Sequence, residues 1–174
     1  MDELRRPEGV EPKHVHEAGG SIFRRWPFGL GGLAIVLAPA FLGVYGHDAR
    51  LSHDASGVHL EVDGPGRARN GEFFELVLNV EAQRDVRDVV VLIGADLLRD
   101  VTVNTLLPDP SEHGFRDGSY EFHFGNLAPG ERLEVKLDAQ INPAHTPTAN
   151  HGSIAVADGE AVLAEVFYVM EVLP

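Results

Sequence analysis

The chain contains no cysteine. That excludes disulfides, thiolate zinc sites and cysteine nucleophiles together, and it leaves the redox compartment open. Basic residues are also scarce: 14 Lys and Arg stand against 27 Asp and Glu, a formal charge of -13. So acidic a body repels phosphate backbones and anionic headgroups, and nucleic acid is not an expected partner. Tryptophan occurs once, at Trp26, which leaves little for an aromatic sugar-binding platform. Amphipathic helical periodicity is missing from the whole second half. At 174 residues the chain has room for one domain with a proper core and some extra segments, not for two full domains.

What is present begins with an apolar run. Trp26 to Gly46 is 21 residues without a charge, which as a helix would span about 31 Å, close to the hydrocarbon thickness of a bilayer. Arg24 and Arg25 precede it and His47 and Asp48 follow it. Positive charge stays on the cytoplasmic side, so the expectation is a single-pass transmembrane helix over 26–46, with Trp26 and Tyr45 at the two interfaces and the acidic body extracytoplasmic. The charge distribution agrees: residues 1–25 carry five basic and five acidic side chains, and 47–174 carry 9 Lys and Arg against 22 Asp and Glu.

Two other readings compete. A buried helix of a soluble protein would need an amphipathic pattern that Gly29, Gly31, Gly32 and Pro39 do not offer. A cleaved export signal would use the basic end, the run Phe28 to Leu37 and the small-residue triplet Ala38-Pro39-Ala40. Because the apolar run continues through Phe41, Leu42, Val44 and Tyr45, an uncleaved anchor is the preferred expectation. Its small residues, Ala34 and Ala38 with Gly29, Gly32 and Gly43, permit close approach by another helix. Before the run, residues 1–25 mix charges with Pro7, Pro12 and Gly19-Gly20 and show no apolar repeat, so a disordered cytoplasmic tail is expected. His14 and His16 lack a third ligand nearby and make no metal site.

After Asp48 the period switches to two. Phe74, Leu76, Leu78 and Val80 share one strand face, Tyr120, Phe122 and Phe124 another, and Leu133, Val135, Leu137, Ala139 and Ile141 a third. Turn chemistry separates such runs at Pro65-Gly66, Asn70-Gly71, Asp117-Gly118, Pro129-Gly130, Asn142-Pro143 and Asp158-Gly159, the last expected as a type I′ hairpin turn. About eight strands at this spacing, with no helical segment, predict an all-β, immunoglobulin-like sandwich over 58–174, after a juxtamembrane linker at 47–57.

The run Phe122 to Val135, "FHFGNLAPGERLEV", resembles the strand-turn-strand signature of bacterial Ig-like cell-surface repeat domains. The resemblance implies a β-sandwich serving as an adhesion, spacer or interaction module on an exported protein. The chain departs from that family by lacking the usual Asn-Thr-Gly turn and Thr-rich strands and by having one copy instead of an array. The resemblance supplies no catalytic residue.

Candidate chemistry is thin. The loop Leu107 to Tyr120 holds Asp109, Glu112, His113 and Asp117, hard oxygen donors of a type that binds calcium, but the spacing is not that of an EF-hand, with Tyr120 where a bidentate Glu belongs. His151-Gly152-Ser153 lacks the Gly-x-Ser-x-Gly elbow of a nucleophile. No catalytic residue, metal site or cofactor is expected. More informative is a strand apolar on both faces, Ala161 to Val172, where Leu163, Phe167 and Val169 stand opposite the core-facing set and form a candidate interaction face. The expected function is a membrane-anchored extracytoplasmic binding or scaffolding module. Its partners would be lipid, through the helix, and another envelope protein or a second copy. The alternative is a cleaved, exported ligand-binding or enzymatic sandwich with a loop site.

Overall fold

The computed structural model describes residues 48–144 and 149–174. The expected tail and transmembrane helix, with Arg24, Arg25, Trp26 and Tyr45, lie outside them. Among the described residues no helix is long and apolar enough to cross a membrane.

Eleven strands follow one another: β1 (Asp48–Ala55), β2 (Val58–Pro65), β3 (Arg67–Arg69), β4 (Phe73–Ala82), β5 (Val89–Gly94), β6 (Val101–Leu107), β7 (Glu112–Arg116), β8 (Ser119–His123), β9 (Arg132–Ile141), β10 (Ala149–Asp158) and β11 (Ala161–Leu173). They form a β-sandwich. One sheet has five strands in the order β1-β2-β4-β9-β6, and the other has six in the order β3-β11-β10-β5-β8-β7. Every pairing is antiparallel except that of β11 with β3.

The alternation read from the sequence sets what lies between the sheets. Leu60, Val62, Leu76, Leu78 and Val80 from the five-stranded sheet meet Val91, Ile93, Ile154, Val156 and Tyr168 from the other, all fully buried. Each aliphatic side chain so placed contributes about 1.5–3 kcal/mol relative to exposure. The motif Phe122 to Val135 crosses from one sheet to the other: β8 ends at His123, Gly125 and Gly130 take positive φ (80° and 84°), and β9 enters the opposite sheet.

Four expectations need correcting. The segment taken as a linker at 47–57 is largely β1, paired with β2 along its whole length around a Ser56-Gly57 turn with φ of 49° and 76°. Only Ala49, Leu51 and Ala55 of β1 pack against the core, so its apolar signal is weak. The supposed acidic loop 107–120 is mostly the β7-β8 hairpin, closed by Asp117-Gly118 with φ of 50° and 81°. The β10-β11 hairpin turns on Gly159-Glu160, not Asp158-Gly159: Asp158 pairs with Ala161, and Gly159 alone takes positive φ, as a type II′ turn requires. Asp158 instead caps a neighbouring loop, its Oδ1 accepting the backbone N–H of Arg87 (3.1 Å) and of Asp88 (3.2 Å).

The fourth correction concerns Leu163. Val156 pairs with Ala164 and Ala157 with Val162, which leaves Leu163 as the extra residue of a β-bulge. A bulge turns two successive side chains to the same side. Leu163 and Ala164 both point into the core, Leu163 being 6% exposed, and the outward position passes to Val162.

Candidate functional site

The outer face of the six-stranded sheet is built from alternate residues of β11, β10, β5, β8 and β7. On β11 the outward residues are Val162, Glu165, Phe167, Val169 and Glu171; Phe167 is 63% exposed, and Val162 and Val169 are also exposed. Their cross-strand neighbours on β10 are Ala157 opposite Val162, Ser153 opposite Phe167 and His151 opposite Val169. The His151 ring lies against that of Phe167, centroids 6.0 Å apart and tilted by 44°. Of the sequence-expected face, Phe167 and Val169 thus stand together in solvent and Leu163 does not.

On its side away from β10, β11 is paired, among the described residues, only through Glu171, Val172 and Leu173 to β3, and it also lies against β1 of the other sheet. An apolar strip along a strand edge is a site where another chain can be received.

Beside the strip lies a shallow hollow of about 500 Å³ whose floor is Leu92, Ser153 and Ala155 and whose rim carries Glu160, Val162, Glu165, Arg116 and Asp117. Small residues line the depression, Ser119, Ser153 and Ala155 among them. The rim is net negative, because the Arg116 Nε is engaged by Glu121 Oε1 at 3.0 Å.

The other sequence candidates are dispersed. His151 and Ser153 face the same way, but no hydrogen bond joins them among the described residues, and His151 Nδ1 sits 3.4 Å from the Ala149 carbonyl. Glu112 and His113 point to opposite sides of β7, and the described residues contain no group of three or more His, Asp or Glu able to hold a metal ion. Sequence reasoning missed the hollow, since it depends on how β7-β8 stands beside β10-β11, which no local pattern encodes.

No family model and no curated protein matches the chain. Among solved structures it is similar to the CARDB domain of a Pyrococcus furiosus protein in complex with di-metal ions, with 12% identity, 72% of this chain and 95% of that one covered, and a TM-score of 0.45. It is similar to CaCohA2 from Clostridium acetobutylicum with 16% identity, 68% and 92% covered, and a TM-score of 0.45. A non-cellulosomal cohesin from Archaeoglobus fulgidus gives 8% identity, 73% and 91% covered, and a TM-score of 0.41.

Proposed function

We propose that the chain is a membrane-anchored, extracytoplasmic binding or scaffolding module without catalytic activity, oriented with its amino terminus in the cytoplasm and accessory to another envelope protein. The observation that carries the reading is the outward strip Val162, Phe167 and Val169, three large apolar side chains exposed on one strand of a net acidic body. Such a strip costs solubility unless a partner covers it. An apolar patch inside a negatively charged surround admits partners selectively, because like-charged proteins are repelled before contact.

The anchor in this reading is the uncharged run 26–46 behind Arg24 and Arg25. One residue, His47, separates it from β1, so a tether of this length favours partners held in the same membrane over distant ligands.

The test is in-membrane crosslinking followed by capture of the wild-type chain and of Phe167→Asp. A partner crosslinked to wild type and lost in the variant is the expected result. Identical partner sets would overturn the assignment of the strip, provided that both proteins show the same thermal unfolding, as substitution of an exposed side chain should allow.

A further inference from the structure

Across the outer face of the six-stranded sheet, register sets long side chains at the margins and short apolar ones between them. Glu165 of β11 pairs with Ala155 of β10, Ala155 with Leu92 of β5, and Leu92 with Glu121 of β8. One row nearer the β10-β11 turn, Val162 pairs with Ala157, Ala157 with Val90 and Val90 with His123. The margins are three strand spacings apart, about 14 Å. Ala155, Ala157 and Val90 are buried although register places them on the outward side, so the side chains around them shade the floor of a trough. The hollow over Leu92 and Ala155 is part of it.

The charges around the hollow are not compensated from within the chain. Asp117, Glu160 and Glu165 line it and form no ion pair among the described residues, while Arg116, the cation of the lining, is held by Glu121 at 3.0 Å. At the far end of β11 Arg67 is likewise held, by Glu171 at 2.8 Å. Two positions along the strand from Glu165, Phe167 begins the most exposed part of the apolar strip.

An apolar floor under unpaired carboxylates matches a side chain that is itself divided, a cationic head on an aliphatic stem. The stem covers Leu92 and Ala155, and the head meets Glu160 or Glu165. On the reading that the outer strip receives a partner, we infer that this partner is a protein segment that inserts a lysine or arginine into the hollow and seats a neighbouring apolar side chain on Phe167 and Val169. A second copy is the wrong occupant by charge, because a symmetric contact through this face sets the same unpaired carboxylates of two acidic bodies against each other.

The probe is a fluorescent peptide with one arginine between leucines at alternate positions, titrated into the full-length chain in uncharged detergent. Its twin carries citrulline, which keeps the shape of arginine without the charge. Saturable binding of the arginine peptide is expected, about fivefold or more tighter than that of the citrulline peptide. The preference should disappear in Glu160→Gln combined with Glu165→Gln and shrink as salt is raised. Phe167→Ser should weaken both peptides alike, which separates the apolar seat from the charged one. Equal affinity for the two peptides, with both lost in Phe167→Ser, would overturn the inference and leave the role of the strip standing. A preference for arginine that survives the double glutamine variant would also overturn it, as would absence of saturable binding. Free arginine amide binding as tightly as the peptide would mark a small-cation site, and a dimer in sedimentation that Phe167→Ser dissolves would give the strip to a second copy; either result would equally sink it.

Discussion

At the scale of single residues, Tyr168 of β11 ties the six-stranded sheet to the end of β2 in the five-stranded one. It is buried, and its hydroxyl donates to the Pro65 carbonyl at 2.8 Å, at the corner where the chain leaves β2 for β3. Gly64 makes the room, since a Cβ there would stand 2.6 Å from the Tyr168 hydroxyl and 2.7 Å from a Leu76 methyl. Burial, with the Asp48 and Asp63 carboxylates nearby, raises the Tyr168 pKa well above the ordinary phenol value. The neutral phenol is therefore the folded form. Below the unfolded pKa, near 10, its stabilisation is fully present; as pH rises beyond that, the unfolded chain releases a proton the folded one keeps, and stability falls by up to about 1.4 kcal/mol per pH unit. Tyr168→Phe loses the hydrogen bond, about 1 kcal/mol at neutral pH, but is spared this alkaline decline. Thermal unfolding from neutral pH to beyond pH 10 should show the gap between the two proteins narrowing as pH rises; a constant gap would mean that Tyr168 ionises alike in both states.

At the scale of elements, the strands most legible in the sequence are those half-buried with a strict period of two. In β9 the alternation of Leu133, Val135, Leu137, Ala139 and Ile141 with polar residues matches the observed burial directly. β1 was hidden because its core-facing residues are two alanines and one leucine among His, Asp and Ser, so nearly all of its specification comes from pairing with β2. β7 was hidden because, at the edge of its sheet, it buries little: four of its five residues are exposed. The exposed strip was half legible. A period of two placed Phe167 and Val169 together outside, but it carried Leu163 with them, because a bulge shifts parity without leaving a local mark in this sequence. The bulge makes a sharp comparison possible. Leu163→Ala removes buried methyl groups and should cost about 2–4 kcal/mol, whereas Phe167→Ser, two strand positions beyond Glu165 in the sequence pattern of outward residues, should stay within about 0.5 kcal/mol. Urea unfolding of the full chain followed by circular dichroism separates them. Equal costs would show that Leu163 does not sit in the core.

At the scale of the whole molecule, the governing feature is the division of charge and hydropathy along the chain. An uncharged run of 21 residues stands between a charge-balanced head and a body with more than twice as many acidic as basic groups. Water-filled surroundings suit the body, whose charged side chains lie on the outside of both sheets while its buried set is almost wholly apolar, Asn150 being the sole polar exception among the described residues. Even that residue is satisfied, its Nδ2 donating to the carbonyls of Leu97 (3.2 Å) and Arg99 (2.7 Å). Among the described residues the body thus has an apolar core of its own, and the proposed anchor would carry the apolar run into a bilayer. In the proposed reading, the gain from burying these 21 uncharged residues in hydrocarbon is what holds the chain at the membrane. Full-length protein expressed in bacteria should therefore remain with membranes through an alkaline carbonate wash, enter solution only with detergent, and retain residues 1–46 in its intact mass. In spheroplasts, protease added from outside should reach the sandwich and leave a fragment bearing the amino terminus in the membrane. A chain recovered from the soluble fraction with its first residue at Phe41 would instead identify cleavage after Ala40 and remove the anchor, and with it the preference for partners in the same membrane.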